Sequence, residues 1–148
     1  MFKQQVYTAC IQHIDSKIDS LKAMLADLTH AITNETKSSV GDKHETTRVQ
    51  MQLEQEKLQK QLHELIVQKS ALERLFETIP TTKITPGCLI ETDRVFVYLS
   101  VGIGKITVGG QQVMVISPQS PLGAKFLGLT VGQTAEMNGM VYAVKLIY

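Results

Sequence analysis

The stretch from residue 6 to residue 32 reads VYTACIQHIDSKIDSLKAMLADLTHAI. Its apolar side chains recur at steps of three or four residues, at Val6, Cys10, Ile14, Ile18, Leu21, Leu25, Leu28 and Ile32. Residues with this spacing lie on one face of an α-helix, and such a face packs against a partner helix. The pattern therefore predicts one long amphipathic helix.

A second apolar stripe with similar spacing follows in the next part of the chain. It comprises Met51, Leu58, Leu62, Leu65, Leu72, Phe76 and Ile79. Gln55 and Lys69 stand at two positions where the same seam would favour an apolar residue. Two stripes of similar length predict two long helices that pack on each other.

The connection between the two stripes is short. Gly41 suits the left-handed conformation that ends a helix, and Asp42 can cap the next helix. Because a short connection joins neighbouring helices, we expect the two helices to run antiparallel. The sequence thus predicts an antiparallel helical hairpin (coiled coil) over residues 1–79 with its tip near residues 38–45. At 1.5 Å per residue, each arm is roughly 50 Å long.

The pattern changes after residue 79. Pro80 disfavours a continued helix, and the following segments are rich in β-branched residues. The dipeptides Gly109-Gly110 and Asn138-Gly139 suit the tight turns of β-hairpins. The predicted strands cover residues 94–101, 105–108, 111–116, 134–137 and 140–147. We predict a second, β-rich domain over residues 80–148, which puts the chain in the α+β class.

A short helix is predicted within this second domain, in the segment from Ser120 to Gly128. Ser120 is a favourable N-cap, Pro121 suits the first helical position, and Gly128 lies beyond the end.

Composition limits the classes of protein to consider. The chain has 148 residues, of which 43% are hydrophobic and 20% charged, as in ordinary soluble proteins. No apolar run approaches the roughly 20 residues that span a bilayer, and the start lacks the apolar core of a signal peptide. We therefore expect no membrane association and a cytoplasmic location. With a net charge of only +1, we expect no autonomous sequence-specific DNA binding. Any nucleic-acid contact is therefore expected to depend on a partner.

The two cysteines, Cys10 and Cys88, lie far apart in the sequence. Catalysis by a thiol needs a paired base, and the sequence supplies none beside either residue. Cys10 falls on the apolar stripe of the first helix, and Cys88 lies at a strand start. Both are predicted to be small buried apolar residues.

Two motifs resemble the Gre family of bacterial transcript-cleavage factors. The segment from Ser120 to Gly128, followed by Val131-Gly132 and by the closing Tyr142-Ala143-Val144-Lys145, resembles the signature of the family's C-terminal domain. Independently, Gly41-Asp42-Lys43-His44-Glu45 resembles the Gly-Asp-x-x-Glu tip of the family's hairpins. The motifs follow the family's order and separation, and the resemblance covers essentially the whole chain. Thr46 replaces the family's usual asparagine, and Val49 stands near a position where an aromatic residue is usual.

The resemblance implies a fold, a partner and a role. It implies an FKBP-like domain over residues 80–148 and a hairpin tip that enters the secondary channel of bacterial RNA polymerase. There the chain would act as an accessory factor, not as an enzyme, and would stimulate the polymerase's own cleavage of backtracked RNA at the nascent 3′ end. The polymerase contact would involve Ser120, Pro121, Leu122, Gly123 and Gly128.

The resemblance also implies roles for the two acids of the tip. Asp42 would coordinate a Mg²⁺ ion held jointly with the polymerase, since Mg²⁺ favours oxygen ligands and often takes only one or two carboxylates. Glu45 would orient or deprotonate the attacking water. No cofactor is expected on the isolated chain.

Several alternatives stay open at this point. Asp42 and Glu45 have the spacing of an acidic capping box, in which both side chains bind free backbone N–H groups. His44 is more simply a solvated side chain. A Gre-like protein could also occupy the polymerase channel and inhibit or modulate transcription without cleavage.

A more remote alternative is an FKBP-like prolyl isomerase or chaperone. Such a site needs an aromatic-lined apolar pocket. The aromatic residues of the second domain, at strand spacing, are instead predicted to belong to its core: Phe96, Tyr98, Phe126 and Tyr142.

Overall fold

The computed structural model describes residues 1–37, 42–79 and 81–148, and for residues 35–37 and 42–44 it describes the backbone alone. The helices of this described part are α1 (Phe2–Lys37), α2 (Asp42–Phe76) and α3 (Pro121–Phe126). Its strands are β1 (Leu89–Thr92), β2 (Phe96–Leu99), β3 (Gly104–Val108), β4 (Gln111–Ile116), β5 (Thr134–Met137) and β6 (Met140–Ile147). Two long helices therefore precede a mixed sheet, and the predicted α+β class is confirmed.

The apolar stripe predicted for α1 is confirmed. Val6, Cys10 and Ile14 are fully buried, and the later members of the stripe are buried or half-buried. In α2, Leu58 and Leu72 are buried. No helix in the described residues has a stretch long and apolar enough to cross a bilayer.

The prediction that Ile79 belongs to the second stripe was wrong. Helix α2 ends at Phe76, and the side chain of Ile79, which lies beyond that end, is 84% exposed. Ile79 continues the apolar spacing of the stripe in the sequence. Because it lies outside α2, the helical backbone does not direct its side chain toward the other helix.

Side chains of α1 contact side chains of α2 at two places. The rings of Tyr7 and Phe76 stack with their centroids 4.0 Å apart. Farther along α1, Thr29 Oγ1 accepts a hydrogen bond of 3.0 Å from Gln55 Nε2. Gln55 thus fills a polar position of the seam by bonding across it.

The chain forms two compact units. The first contains Met1–Gln12 and Gln68–Tyr148, so the start of α1 and the end of α2 group with the sheet. The second contains His13–Val67. The predicted domain boundary between residues 79 and 80 falls where helix gives way to β-structure, and as a statement about domains it stays a prediction.

The sheet of the first unit has the strand order β3-β4-β2-β1-β6-β5. Strands β2 and β4 pair in parallel, and the other neighbouring pairs are antiparallel. Gly109 and Gly110 join β3 to β4 with φ of 56° and 77°, and Asn138 and Gly139 join β5 to β6 with φ of 52° and 77°. Positive φ at both turn residues is the mark of a type I′ turn. Both predicted hairpins are confirmed.

Each face of the sheet is covered by different residues. On one face, Ile90, Val97 and Leu99 form a buried cluster with Phe126 of α3. On the opposite face, the ring centroid of Phe96 lies 4.8 Å from that of Phe2 in α1. In addition, Gln68 Nε2 of α2 donates a 3.2 Å hydrogen bond to the Gly102 carbonyl. The helix ends of the first unit therefore cover the face that carries Phe96, which we call the helix face.

The helix face buries a polar atom without a partner. Tyr98 is fully buried, and its hydroxyl has no hydrogen-bond partner among the described residues. Burial raises the pKa of Tyr98, and the neighbouring Cys10 and Tyr7 raise it further. An unsatisfied buried hydroxyl costs about 1–3 kcal/mol of stability.

We therefore expect Tyr98→Phe to raise the free energy of unfolding, by roughly 1 kcal/mol or more, because the substitution removes the hydroxyl and keeps the ring. Urea unfolding followed by circular dichroism measures the change. The matched control is Tyr142→Phe, since the Tyr142 hydroxyl has a partner in the Met140 sulfur at 3.8 Å. A loss of stability in Tyr98→Phe would show that an ordered water satisfies this hydroxyl.

Candidate functional site

The two candidate acids lie in the first turn of α2. The helix begins at Asp42, and Glu45 follows three residues later with an exposed side chain. The side chains of Asp42 and His44 and the whole of Gly41 lie outside the described residues. The capping box, the role of His44 and most of the tip at residues 38–45 therefore stay predictions.

The start of a long helix has chemical properties that suit carboxylates. The first backbone N–H groups of a helix have no partner within the helix, and the helix dipole places partial positive charge there. Residues three apart in a helix are neighbours on its surface, with about 5–6 Å between their Cβ atoms. Asp42 and Glu45 can thus act together on one ion or water, or can cap the helix. Among the described side chains, no three His, Cys, Asp or Glu residues gather as a metal site.

The short helix of the second motif has the predicted caps. Ser120 Oγ accepts a 3.1 Å hydrogen bond from the Gly123 N–H and donates a 2.6 Å bond to the Ser117 carbonyl. Pro121 occupies the start of α3. Beyond the helix, Gly128 has a φ of 81°, and its N–H donates to the Ile84 carbonyl at 2.8 Å.

Several residues of this motif serve the fold itself. Gly123 is buried, and a Cβ at this position would lie 2.0 Å from the Ser117 carbonyl oxygen. Leu122 is half-buried and packs against the core cluster around Phe126. Pro121 and Gly128 are exposed. Of the five residues predicted to contact polymerase, Ser120, Leu122 and Gly123 therefore have structural roles, and the polymerase contact itself stays a prediction.

An exposed apolar surface, which was not predicted from the sequence, follows α3. Leu127 is 40% exposed and Val131 is 57% exposed. Lys125, on α3, donates a 2.6 Å hydrogen bond to the backbone carbonyl of Glu136 in β5. The segment thus presents apolar side chains beside a lysine that is held by the sheet.

A cavity of about 240 Å³ lies beside the helix face. Its lining includes Phe2, Lys3, Leu89, Phe96 and Tyr148. The Lys3 ammonium donates to the Tyr148 backbone oxygen at 3.3 Å, and burial lowers the pKa of Lys3. Sequence reasoning missed this cavity because residues 3, 89, 96 and 148 meet only in the folded chain.

The aromatic residues of the β-rich part belong mainly to the core, as predicted. Tyr98 and Phe126 are fully buried, and Tyr142 is 7% exposed. Phe96 is half-buried and contributes to the cavity beside Phe2.

Both cysteines are buried, as predicted. Burial raises the pKa of the Cys10 thiol to about 12 from an ordinary value of 9.0. The thiolate is the nucleophilic form of cysteine, so the environment of Cys10 opposes thiol catalysis.

Comparison of the chain with protein families, with curated proteins and with solved structures gives no match.

Gly123→Ala should lower the free energy of unfolding by about 1–3 kcal/mol, because the added methyl group meets the Ser117 carbonyl. Gly102→Ala is the matched control, since a Cβ at residue 102 meets no atom within 4 Å. Urea unfolding of both variants measures the difference. If the two variants unfold alike, the packing role of Gly123 is wrong.

Cys10 should not react with a thiol reagent such as DTNB at pH 8 in the folded protein, and it should react fully once urea unfolds the chain. The Cys10→Ala variant reports the contribution of Cys88 separately. Rapid labelling of Cys10 under native conditions would contradict its burial.

The pKa of Cys10 is higher in the folded chain than in the unfolded chain. The protonated thiol therefore contributes stability below pH 9.0, and this contribution is lost as the pH rises towards about 12.

Proposed function

We propose that this chain is a Gre-like transcription elongation factor of the bacterial cytoplasm. It binds RNA polymerase, inserts the tip of a helical hairpin into the secondary channel, and stimulates the polymerase's own cleavage of backtracked RNA. The observation that carries the proposal is the start of α2 at Asp42. This start puts Asp42 and Glu45 in the first turn of a 35-residue helix, where a Gly-Asp-x-x-Glu tip motif requires them.

The lengths of the helices support the proposed reach into a channel. Helix α1 has 36 residues and α2 has 35. At 1.5 Å per residue, each is roughly 50 Å long. A helix of this length suits a hairpin whose tip must reach into a channel.

In the proposed mechanism the two acids have separate tasks. Asp42 would supply a carboxylate to a Mg²⁺ ion that the polymerase also holds, and such an ion, when bound, would supply positive charge to stabilise the scissile phosphate. Glu45 takes the proton of the attacking water. Water adds to the phosphorus, the bond to the 3′ oxygen of the upstream nucleotide breaks, and that oxygen takes up a proton from solvent as the backtracked end of the RNA leaves. An exposed Glu45 is accessible for this role.

We further propose that residues 80–148 are FKBP-like and provide the polymerase contact. A six-stranded mixed sheet with the short helix α3 on one face supports this assignment. The exposed residues of the segment that resembles the family signature are Pro121, Ala124, Lys125, Leu127 and Gly128.

A second candidate is a Gre-like regulator that occupies the channel and modulates polymerase without cleavage. The residues after the acidic pair favour this alternative, because Thr46 and Val49 depart from the family pattern. Val49 is 52% exposed on α2, so it is accessible to a partner. The two functions differ in whether the RNA is shortened or synthesis is only slowed.

Asp42→Asn and Glu45→Gln should both abolish most RNA cleavage while they leave stability nearly unchanged. Asparagine caps a helix about as well as aspartate but lacks the anionic charge that Mg²⁺ favours. Glutamine retains the capping-box hydrogen bond but cannot act as a base, and such a loss typically lowers the rate by about 10² to 10⁴. The measurement is RNA release from a stalled, backtracked elongation complex, with thermal melts of each variant.

Glu54→Gln is the matched control, because Glu54 is an exposed acid on the same helix, outside its first turn. It should cleave like the parent. Higher Mg²⁺ should partly restore Asp42→Asn and restore Glu45→Gln less, since only Asp42 is assigned to the ion. If the unmodified protein binds the complex and slows RNA synthesis without shortening the RNA, the protein is a regulator and not a cleavage factor. If Asp42→Asn and Glu45→Gln cleave like the parent, the two acids only cap α2.

A further inference from the structure

Strand β3 forms one outer edge of the sheet, and β5 forms the other. An edge strand presents backbone N–H and C=O groups that can pair with another extended chain. The two edges of this sheet differ in whether another segment of the described chain binds those backbone groups.

The register of the β3–β4 hairpin decides which backbone groups of β3 point outward. In a two-residue hairpin, the residues that flank the turn exchange hydrogen bonds, and the bonded pairs then alternate along the strands. Val108↔Gln111 flanks the turn, so the bonded residues of β3 are 104, 106 and 108. The N–H and C=O groups of Lys105 and Thr107 therefore point away from β4.

Hydrogen bonds at the end of β4 agree with this alternation. The carbonyl of Val115 accepts a 3.1 Å bond from the Ile103 N–H on the β3 side. The carbonyl of the next residue, Ile116, accepts a 2.8 Å bond from the Ser100 N–H on the β2 side.

The edge at β5 is partly occupied by the chain itself. The same alternation, from Met137↔Met140 at the turn, directs the Glu136 carbonyl outward. That carbonyl accepts the 2.6 Å hydrogen bond from Lys125 Nζ. A lysine side chain bound across an edge hinders the addition of another strand.

The edge at β3 has no such cover in the described part of the chain. Lys105 and Thr107 are both exposed, and no hydrogen bond from a neighbouring segment of that part reaches their outward backbone groups. The strand reads Gly-Lys-Ile-Thr-Val, so Lys105 is its one charged residue.

We propose that the outer edge of β3 binds an extended, acidic peptide segment of a partner protein, which adds to the sheet as a seventh strand. The outward groups of Lys105 and Thr107 supply two donors and two acceptors for this strand. An acidic side chain opposite or diagonal to Lys105 completes the pairing, because opposite charges on neighbouring strands attract.

A second copy of the chain fits this edge less well. Antiparallel pairing of two β3 strands through the same outward groups would place Lys105 of each copy opposite Thr107 of the other. The two lysines would then lie diagonally across one face, about 7–8 Å apart, and would repel each other. The charge of Lys105 therefore favours an acidic partner over self-pairing.

The test uses the intact chain and two synthetic peptides, acetyl-Thr-Val-Glu-Val-Thr-amide and the same peptide with lysine in place of glutamate. Amide hydrogen exchange, read residue by residue by NMR, reports strand addition. We expect the glutamate peptide to slow exchange at the Lys105 and Thr107 amides and to leave Thr134 and Glu136, the outward-facing residues of the β5 edge, unchanged. It should bind about two- to fivefold more tightly than the lysine peptide. A backbone N-methylated glutamate peptide should not bind, because it cannot form the ladder of hydrogen bonds.

Lys105→Glu is the decisive variant, since it changes an exposed side chain and leaves the backbone of the edge intact. It should reverse the preference, so that the lysine peptide binds more tightly. Unchanged exchange at the Lys105 and Thr107 amides with millimolar peptide would overturn the proposal. So would protection that rises with protein concentration in the absence of peptide, which would identify a second copy as the occupant. Equal affinity for both peptides in the parent and in Lys105→Glu would overturn the preference for an acidic segment.

Discussion

The stacked rings of Tyr7 and Phe76 connect the beginning of α1 to the end of α2. Near them, Phe2 meets Phe96 of the sheet, and Gln68 donates to the Gly102 carbonyl. These contacts bring two segments that are far apart in the sequence onto one face of the sheet. Within the first unit, these contacts also determine which faces of the two helix ends meet.

The helices and hairpins could be predicted because their signals are local. A step of three or four residues places Val6, Cys10 and Ile14 on one helix face, and all three are fully buried. Positive φ at Gly109 and Gly110 is a property of those residues and needs no distant partner. Periodicity failed at Ile79, where an apolar residue continues the spacing after the helix has ended.

The candidate site could be predicted only in part. The serine cap and the proline start of α3 follow from residue chemistry, and the structure has both. The packing of Gly123 against Ser117, the bond from Lys125 to Glu136 and the cavity beside Lys3 depend on tertiary contacts, for which a single sequence carries no local signal. The roles of Asp42 and Glu45 follow from the likeness of a motif, and their chemistry would become apparent only beside a partner that supplies the rest of the metal site.

The first compact unit is discontinuous in sequence, and this affects how the chain is made. Met1–Gln12 belongs to that unit, but the strands that these residues cover begin only at Leu89. At roughly 5–20 residues per second, a ribosome takes several seconds to synthesise the residues in between. During this time Val6, Cys10 and Tyr7 have no sheet to pack on, so the apolar start of α1 is exposed in the nascent chain. A chaperone that binds short apolar segments on the ribosome would find such a segment here until the sheet is complete.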